Sequence, residues 1–241
     1  MSRIVAFLDR HFYPKATKNW DDALFRQRIL DRANPEFHVL DLGAGAGIVE
    51  QMNFRGTFAA VHGVDLDSRV LHNPMLDEGR VADAGKIPFE DARFDLVFAD
   101  NVMEHLDDPL AVLMEVRRVL KPGGWLLFKT PNRTHYMPLI ARFTPHWFHQ
   151  FVNRRRGRAE IDTFPTRYRI NTRKDVLAFA SKAGFDVVSV NRIEGRPEYL
   201  RIFWPAYLIG IFYERIVNSG SGMAPFRVLL IAELRRSKSE S

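Results

Sequence analysis

The stretch Phe37-His38-Val39-Leu40-Asp41-Leu42-Gly43-Ala44-Gly45-Ala46-Gly47 decides the fold. Its apolar run, closed by glycines, reads as a buried strand by length and flanks. The spaced glycines then make a tight turn whose missing side chains let backbone approach a ligand. Ile48 to Met52 reads as a following helix, and Phe58 to Val64 as a second strand ending at Asp65. Arg80-Val81-Ala82 is a brief third strand ending at Asp83, and Phe94 to Ala99 is a fourth. Asp107 or Asp108 caps a helix with Pro109 in its first turn. Val112, Leu113, Val116, Val119 and Leu120 keep helical spacing, Lys121-Pro122-Gly123-Gly124 stops the helix, and Trp125 to Phe128 is a fifth strand. Strands alternating with helices predict right-handed crossovers and a parallel sheet in an α/β fold. Beyond it, Arg173 to Ala183 is helical with Gly184 as its stop, and Phe185 to Val190 and Phe226 to Leu234 are two further strands. The first 36 residues are helical in character, with Trp20, Leu24, Phe25, Ile29 and Leu30 sharing a face.

The composition excludes whole classes. A chain of 241 residues with 46% apolar and 27% charged residues is neither disordered nor collagen-like. It contains no cysteine, which rules out a disulfide framework, a thiolate metal site, an iron–sulfur cluster and a cysteine nucleophile. Arg3, Asp9 and Arg10 interrupt the opening residues, so no signal-peptide core is read there. The longest nearly uncharged apolar run, Ile202 to Tyr213, is twelve residues and holds Pro205 and Gly210. A bilayer span needs about twenty. The expectation is a cytoplasmic protein with peripheral contact at the inner face of a membrane.

The net charge of +6 sits in one place. Arginines 133, 142, 154, 155, 156, 158, 167 and 169 face only Glu160 and Asp162 between positions 133 and 172, and eight minus two is the whole surplus. This segment is either a solvated loop or a surface for phosphate, carboxylate or acidic headgroups.

Open parallel sheets bind ligands beyond the carboxyl ends of their strands, where strand order reverses. Asp41, Asp65 and Asp83 each close one of the first three strands. Asp65, 24 residues after Asp41, is placed to accept from two ribose hydroxyls, and Asp83 with Ala84 where an adenine amine donates. A dinucleotide site uses G-x-G-x-x-G and frees a helix N-terminus for pyrophosphate. The spacing here is G-x-G-x-G, and the Asp41 carboxylate would repel a pyrophosphate. It suits a ligand bearing an ammonium and a sulfonium.

The segments VLDLGAGAG (39–47), VHGVDLD (61–67), ADAGKIPFEDARFDLVFADNVMEHLDDP (82–109) and LKPGGWLLFKTPN (120–132) resemble the class I S-adenosylmethionine-dependent methyltransferases. Within that class the chain is similar to the type 11 branch and to quinone-biosynthesis methyltransferases. The resemblance implies one Rossmann-like domain over residues 1–241 with a seven-stranded, mostly parallel sheet, a reversed last strand and helices on both faces. A helical cap (1–36), a cofactor-binding core (37–132), a basic lid (133–172) and a C-terminal half (173–241) would divide it. It also implies that Asp41, Gly43, Ala44, Gly45 and Gly47 hold the methionine part of S-adenosylmethionine, Asp65 the ribose, and Asp83 and Ala84 the adenine. Leu66, Asn101, Val102 and His105 complete the cofactor-binding set, although His105 reads equally as a cap of the next turn.

The acceptor is less legible, because transfer from a sulfonium needs alignment and exclusion of water more than fixed groups. Asp100-Asn101-Val102-Met103 stands where nitrogen methyltransferases of nucleic acid or protein carry Asn/Asp-Pro-Pro-Tyr/Phe, so a nucleic-acid partner is disfavoured. His135, nearest the end of strand five, is the candidate proton acceptor for a hydroxyl, against the reading that it only supports structure. The lid would cover the pocket mouth with Trp147, Phe148 and the arginines. The apolar stretch 199–217 either packs on the sheet edge or across a homodimer, or meets a membrane or lipid-like acceptor through Trp204, Tyr207 and Tyr213. The sequence therefore predicts methyl transfer, at oxygen, to a small-molecule or lipid-like acceptor, yielding S-adenosylhomocysteine. A glycan or phosphate-bearing glycolipid acceptor, and a non-catalytic cofactor-binding module, are the alternatives.

Overall fold

The computed structural model describes residues 2–16, 19–138 and 165–238. Seven strands form one sheet in the order β3-β2-β1-β4-β5-β7-β6. They are β1 (His38–Leu42), β2 (Ala60–Asp65), β3 (Glu78–Val81), β4 (Phe94–Asp100), β5 (Leu120–Pro131), β6 (Phe185–Ile193) and β7 (Leu229–Arg236). The pairs β2–β3, β1–β2, β1–β4 and β4–β5 are parallel. β7, last in the chain, is the reversed strand and enters between β5 and β6. Strand order turns at β1, so the carboxyl ends of β1 and β4 flank the switch point at which such sheets bind ligands.

Five α-helices are described: α1 (Arg3–Phe12), α2 (Trp20–Leu30), α3 (Pro109–Val119), α4 (Arg173–Lys182) and α5 (Trp204–Asn218). Asp108 caps α3, its carboxylate accepting from the Leu110 and Ala111 amides, and Pro109 opens the helix as expected. Alternation along the strands sends side chains to two faces. Leu40, Leu42, Val97, Ala99, Leu126 and Phe128 pack against α3 and α4 through Val112, Val116, Val176 and Ala180. The other face meets α2. There Phe98 meets the Phe54 ring at 5.2 Å, and buried Glu233 of β7 pairs with Arg28 of α2 at 3.6 Å and with Arg32, just beyond that helix, at 2.7 Å.

Several expectations need correction. The segment 48–52 is not a helix; a 3-10 turn, Glu50–Met52, takes its place. Gly47 turns the chain with φ +71, and the Arg55 amide folds back onto the Asn53 side chain. Too few residues lie between to nucleate a helix. After β2 the crossover is likewise a 3-10 turn, Ser68–His72, capped by Asp67. β5 begins at Leu120 and absorbs the Lys-Pro-Gly-Gly stop: Phe94 pairs with Leu120 and Leu96 with Trp125, a bulge in which Gly123 takes φ +80. The stretch 199–217 divides into a 3-10 turn, Glu198–Ile202, and α5, with Pro205 in the first helical turn.

The described residues group into two compact units. One contains residues 2–16, 19–21, 131–138, 165 and 192–229; the other contains 22–130, 166–191 and 230–238 and carries the sheet. In the first, Val5 and Leu8 of α1 share a small core with Tyr207 and Ile211 of α5. Arginines 142, 154, 155, 156 and 158 and Trp147 and Phe148 lie outside the described residues. Arg167 and Arg169 both face Asp107 on the surface.

In the sheet unit, Lys129 of β5 is fully buried, with its ammonium between Asp22 of α2 and Asp100 of β4. Removing one member of a buried ionic group leaves the others uncompensated. We expect Lys129→Met to lower unfolding free energy by about 3–5 kcal/mol in urea titrations. Adding Asp22→Asn should restore part of the loss, whereas an unchanged midpoint for the single variant would show that the ion group contributes nothing.

Candidate functional site

The loop after β1 is held in shape by its neighbours. Gly43, Gly45 and Gly47 all take positive φ, +82, +52 and +71, which only glycine adopts freely. A Cβ on Gly43 would lie 2.3 Å from Val102 Cγ2, and one on Gly47 2.3 Å from Asn73 Oδ1. Asn73 is the clamp. Its amide donates to the Ala44 and Gly45 carbonyls at 3.0 and 3.2 Å, and its Oδ1 accepts from the Met75 amide. Asp65, at the end of β2, accepts from the Gly45 amide at 2.8 Å through Oδ2 and from the Asp67 amide at 2.8 Å through Oδ1. Leu66 beside it is 66% exposed.

Asp41 is buried, and burial pushes its carboxyl well above the usual carboxylate range. Asp100 and Asp65 push in the same direction. Among the described residues, the charges acting on Asp41 are therefore carboxylates. Asn101 follows β4 with φ +55, a left-handed turn that asparagine tolerates, and donates to Asp100 Oδ1. Val102 adjoins the glycine loop through Gly43, and His105 closes the 3-10 turn Met103–His105, part exposed and 3.9 Å from Glu104. Glu104, buried, accepts from Thr130 Oγ1 at 2.9 Å, and Thr130 accepts from Asn171. Asp83, at the end of β3, is exposed, and its Oδ1 accepts from the Gly85 amide; Ala84 packs on the core.

The structure thus gathers Asp41, Asp65, the glycines and Val102 around one loop. It sets Asp83 and Ala84 at the neighbouring strand end. Sequence reasoning did not name Asn73, Asp100, Lys129 or Glu104 as site residues. An Asn-Pro pair at 73–74 and a lysine inside an apolar strand were the available signals.

His135 belongs to the other unit and needs correction as a proton acceptor. It is buried, its Nδ1 accepts from the Met137 amide at 3.2 Å, and its Nε2 lies 3.6 Å from Glu194 Oε2. With Nδ1 so engaged, Nε2 carries the ring proton, and no lone pair is left for a hydroxyl. Burial also drops its pKa to about 3, while burial raises Glu194 to about 8. His135 instead holds the turn after β5.

This geometry fits a cationic amino-acid nucleoside. A crowded set of carboxylates faces a loop of bare backbone, and with a 3-10 turn in place of a helix there is no helix N-terminus for a pyrophosphate. Residues 40–128 match the family described as Methyltransferase domain. This segment is a class I methyltransferase domain of the type 11 branch. The domain's Asp41 and glycine loop lie at the start of the match. A ubiquinone biosynthesis O-methyltransferase of Thiobacillus denitrificans is 35% identical over 112 residues, covering 43% of this chain and 48% of that protein. The chain spans about half the length of the curated relatives it matches first. Among solved structures, the 4+2 cyclase SpnF aligns with TM-score 0.59 and 17% identity, covering 93% of this chain and 84% of that one. A S-adenosylmethionine-dependent methyltransferase from Methanosarcina mazei aligns with TM-score 0.57 and 16% identity, covering 88% and 98%. These two likenesses establish the fold.

Two predictions follow from the loop and its acid. Asn73→Ala removes two hydrogen bonds to the loop at about 1 kcal/mol each, so the melting temperature should fall by about 4–8 °C and calorimetry should show S-adenosylmethionine affinity falling roughly tenfold or more as the loop loses its shape. An unaltered affinity would separate the clamp from the ligand. Asp41 keeps its proton to higher pH in the fold than in the unfolded chain, so the stability tied to that proton is present at low pH and lost as pH rises through the raised value. A cationic ligand selects the ionised carboxyl. Affinity should therefore rise with pH across that value, and calorimetry in buffers of different ionisation enthalpy should detect a released proton that Asp41→Asn abolishes.

Proposed function

We propose that the chain is an S-adenosylmethionine-dependent methyltransferase acting on oxygen of a small, lipid-like acceptor. The crowding of Asp41 by Asp65 and Asp100 carries the reading, because such a cluster is relieved by a cation and aggravated by a phosphate. The relatives named ubiquinone biosynthesis O-methyltransferases support oxygen as the methylated atom and a quinone-type ring as the acceptor class. When bound, S-adenosylmethionine supplies a methyl group on a sulfonium, and homocysteine nucleoside leaves.

The chain's own residues bind and orient. Asp41 would hold the cationic amino-acid end, Asp65 the ribose hydroxyls while keeping its grip on the Gly45 amide, and Leu66 one face of the adenine. Asn101, Val102 and His105 would line the same pocket after β4, with Asp83 and Ala84 at its adenine end. Few further groups are required, since alignment and exclusion of water account for most of the rate. The phosphate-bearing glycolipid alternative depends on the arginines of the basic segment, five of which are outside the described residues. The domain's neighbourhood in fold space includes a cyclase, so transfer has to be measured rather than read from fold.

Incubating the chain with methyl-labelled S-adenosylmethionine and a catechol bearing an isoprenoid tail should label one ring oxygen. Asp65→Ala should reduce kcat/KM by roughly 100-fold, the loss of two hydrogen bonds to a charged group. Tight cofactor binding with no label in any hydroxyl acceptor would favour the non-catalytic module instead.

A further inference from the structure

α5 is built inside out for a helix that meets water. Its buried side carries Tyr207, Gly210, Ile211 and Glu214, including its one acid. Its outward side carries Leu208, Ile209, Phe212 and Ile216, with Ile209 and Phe212 each 69% exposed. At 100° per residue these fall within one arc, with Trp204 and Arg215 at its edge. α1 packs beside α5 and repeats the arrangement. Val5 and Leu8 face Tyr207 and Ile211, while Ile4 and Phe7 turn outward, Phe7 58% exposed and stacked on His11.

The charges on these two helices are sorted as well. Asp9 accepts from Tyr207 and Arg201 on the inner side, and Glu214 accepts from Tyr13 and Asn218. The exposed charges on α1 and α5 are Arg3, Arg10 and Arg215, of which Arg215 also lies 3.4 Å from Glu214. An apolar face rimmed by cations complements an anionic lipid surface. It would repel a second copy of itself across a two-fold axis, since each rim would meet another positive rim. At fifteen residues α5 can lie in a membrane interface but not cross it, and among the described residues no helix is long and apolar enough to do so.

We infer that α1 and α5 form a platform that rests in the headgroup layer of an anionic membrane, with Phe7, Ile209 and Phe212 entering the acyl boundary. This deepens the reading of a lipid-like acceptor and rests on it for its purpose, because a platform of this kind brings the chain to a substrate that does not leave the bilayer.

The test is sedimentation of the full chain with vesicles of phosphatidylcholine and phosphatidylglycerol at 3:1, and with phosphatidylcholine alone, without acceptor. The bound fraction should be high on the anionic vesicles, fall at least tenfold in partition with Phe7→Glu/Phe212→Glu, and decline with salt. Binding should blue-shift tryptophan emission, and Trp204→Phe should reduce that shift. Both substituted phenylalanines point outward, and labelling of a water-soluble catechol by the double variant should equal that of the parent. Equal binding by parent and variant, or none by either, overturns the platform. A concentration-dependent dimer that Phe212→Glu dissolves, without vesicle binding, assigns the face to a second copy and also overturns it. Failure of the methyltransferase reading would appear separately, as loss of labelling with soluble acceptor while vesicle binding persists.

Discussion

Like charges crowd the carboxyl ends of β1, β2 and β4, and the organisation of the sheet unit follows from how that crowding is managed. Asp100 is answered from within by Lys129, which Asp22 of α2 also grips. Asp65 is answered by backbone amides, tying the glycine loop to the end of β2. Asp41 is buried beside both, and burial with the Asp100 and Asp65 charges pushes its carboxyl well above the usual carboxylate range. The ion group thus fastens α2 to the sheet through Lys129 and Asp100, the latter among the charges acting on Asp41. Stability and ligand charge are linked through one set of side chains.

Much of this was readable in the sequence. The strand beginning at Phe94 and the capped helix at Asp108-Pro109 are local signals of an apolar run and turn chemistry that the structure matches, while the strands read from Phe37 and Phe58 begin at His38 and Ala60. The helix at 48–52 was misread because periodicity in five residues does not measure whether enough chain remains to nucleate one. The bulge at Lys121–Gly124 was misread because Pro and Gly mark a break in a helix without saying that a strand resumes at once. Asn73 and the Lys129–Asp22 pair were missed for another reason: their partners are distant in sequence, 107 residues apart in the second case. His135 was singled out for its nearness to the end of strand five, but proximity to a strand end does not reveal that its lone pair is already committed to the Met137 amide.

The other unit obeys a different rule. Asp9, Glu194 and Glu214 are drawn inward and satisfied by tyrosines, arginines and backbone, while Phe7 of α1 and Ile209 and Phe212 of α5 stay outside. In an ordinary soluble surface the two populations exchange places. The sheet unit thus gathers its carboxylates at the strand ends, whereas the α1–α5 pair keeps its acids inside and its large apolar side chains outside.

The central claim is that Asp41 recognises the positive amino-acid end of the nucleoside. It is tested most directly by comparing S-adenosylhomocysteine with methylthioadenosine, which lacks that end, in parent and Asp41→Asn proteins at pH 8. The account predicts a wide gap in affinity for the parent that narrows sharply in the variant. A gap of the same width in both proteins would contradict it.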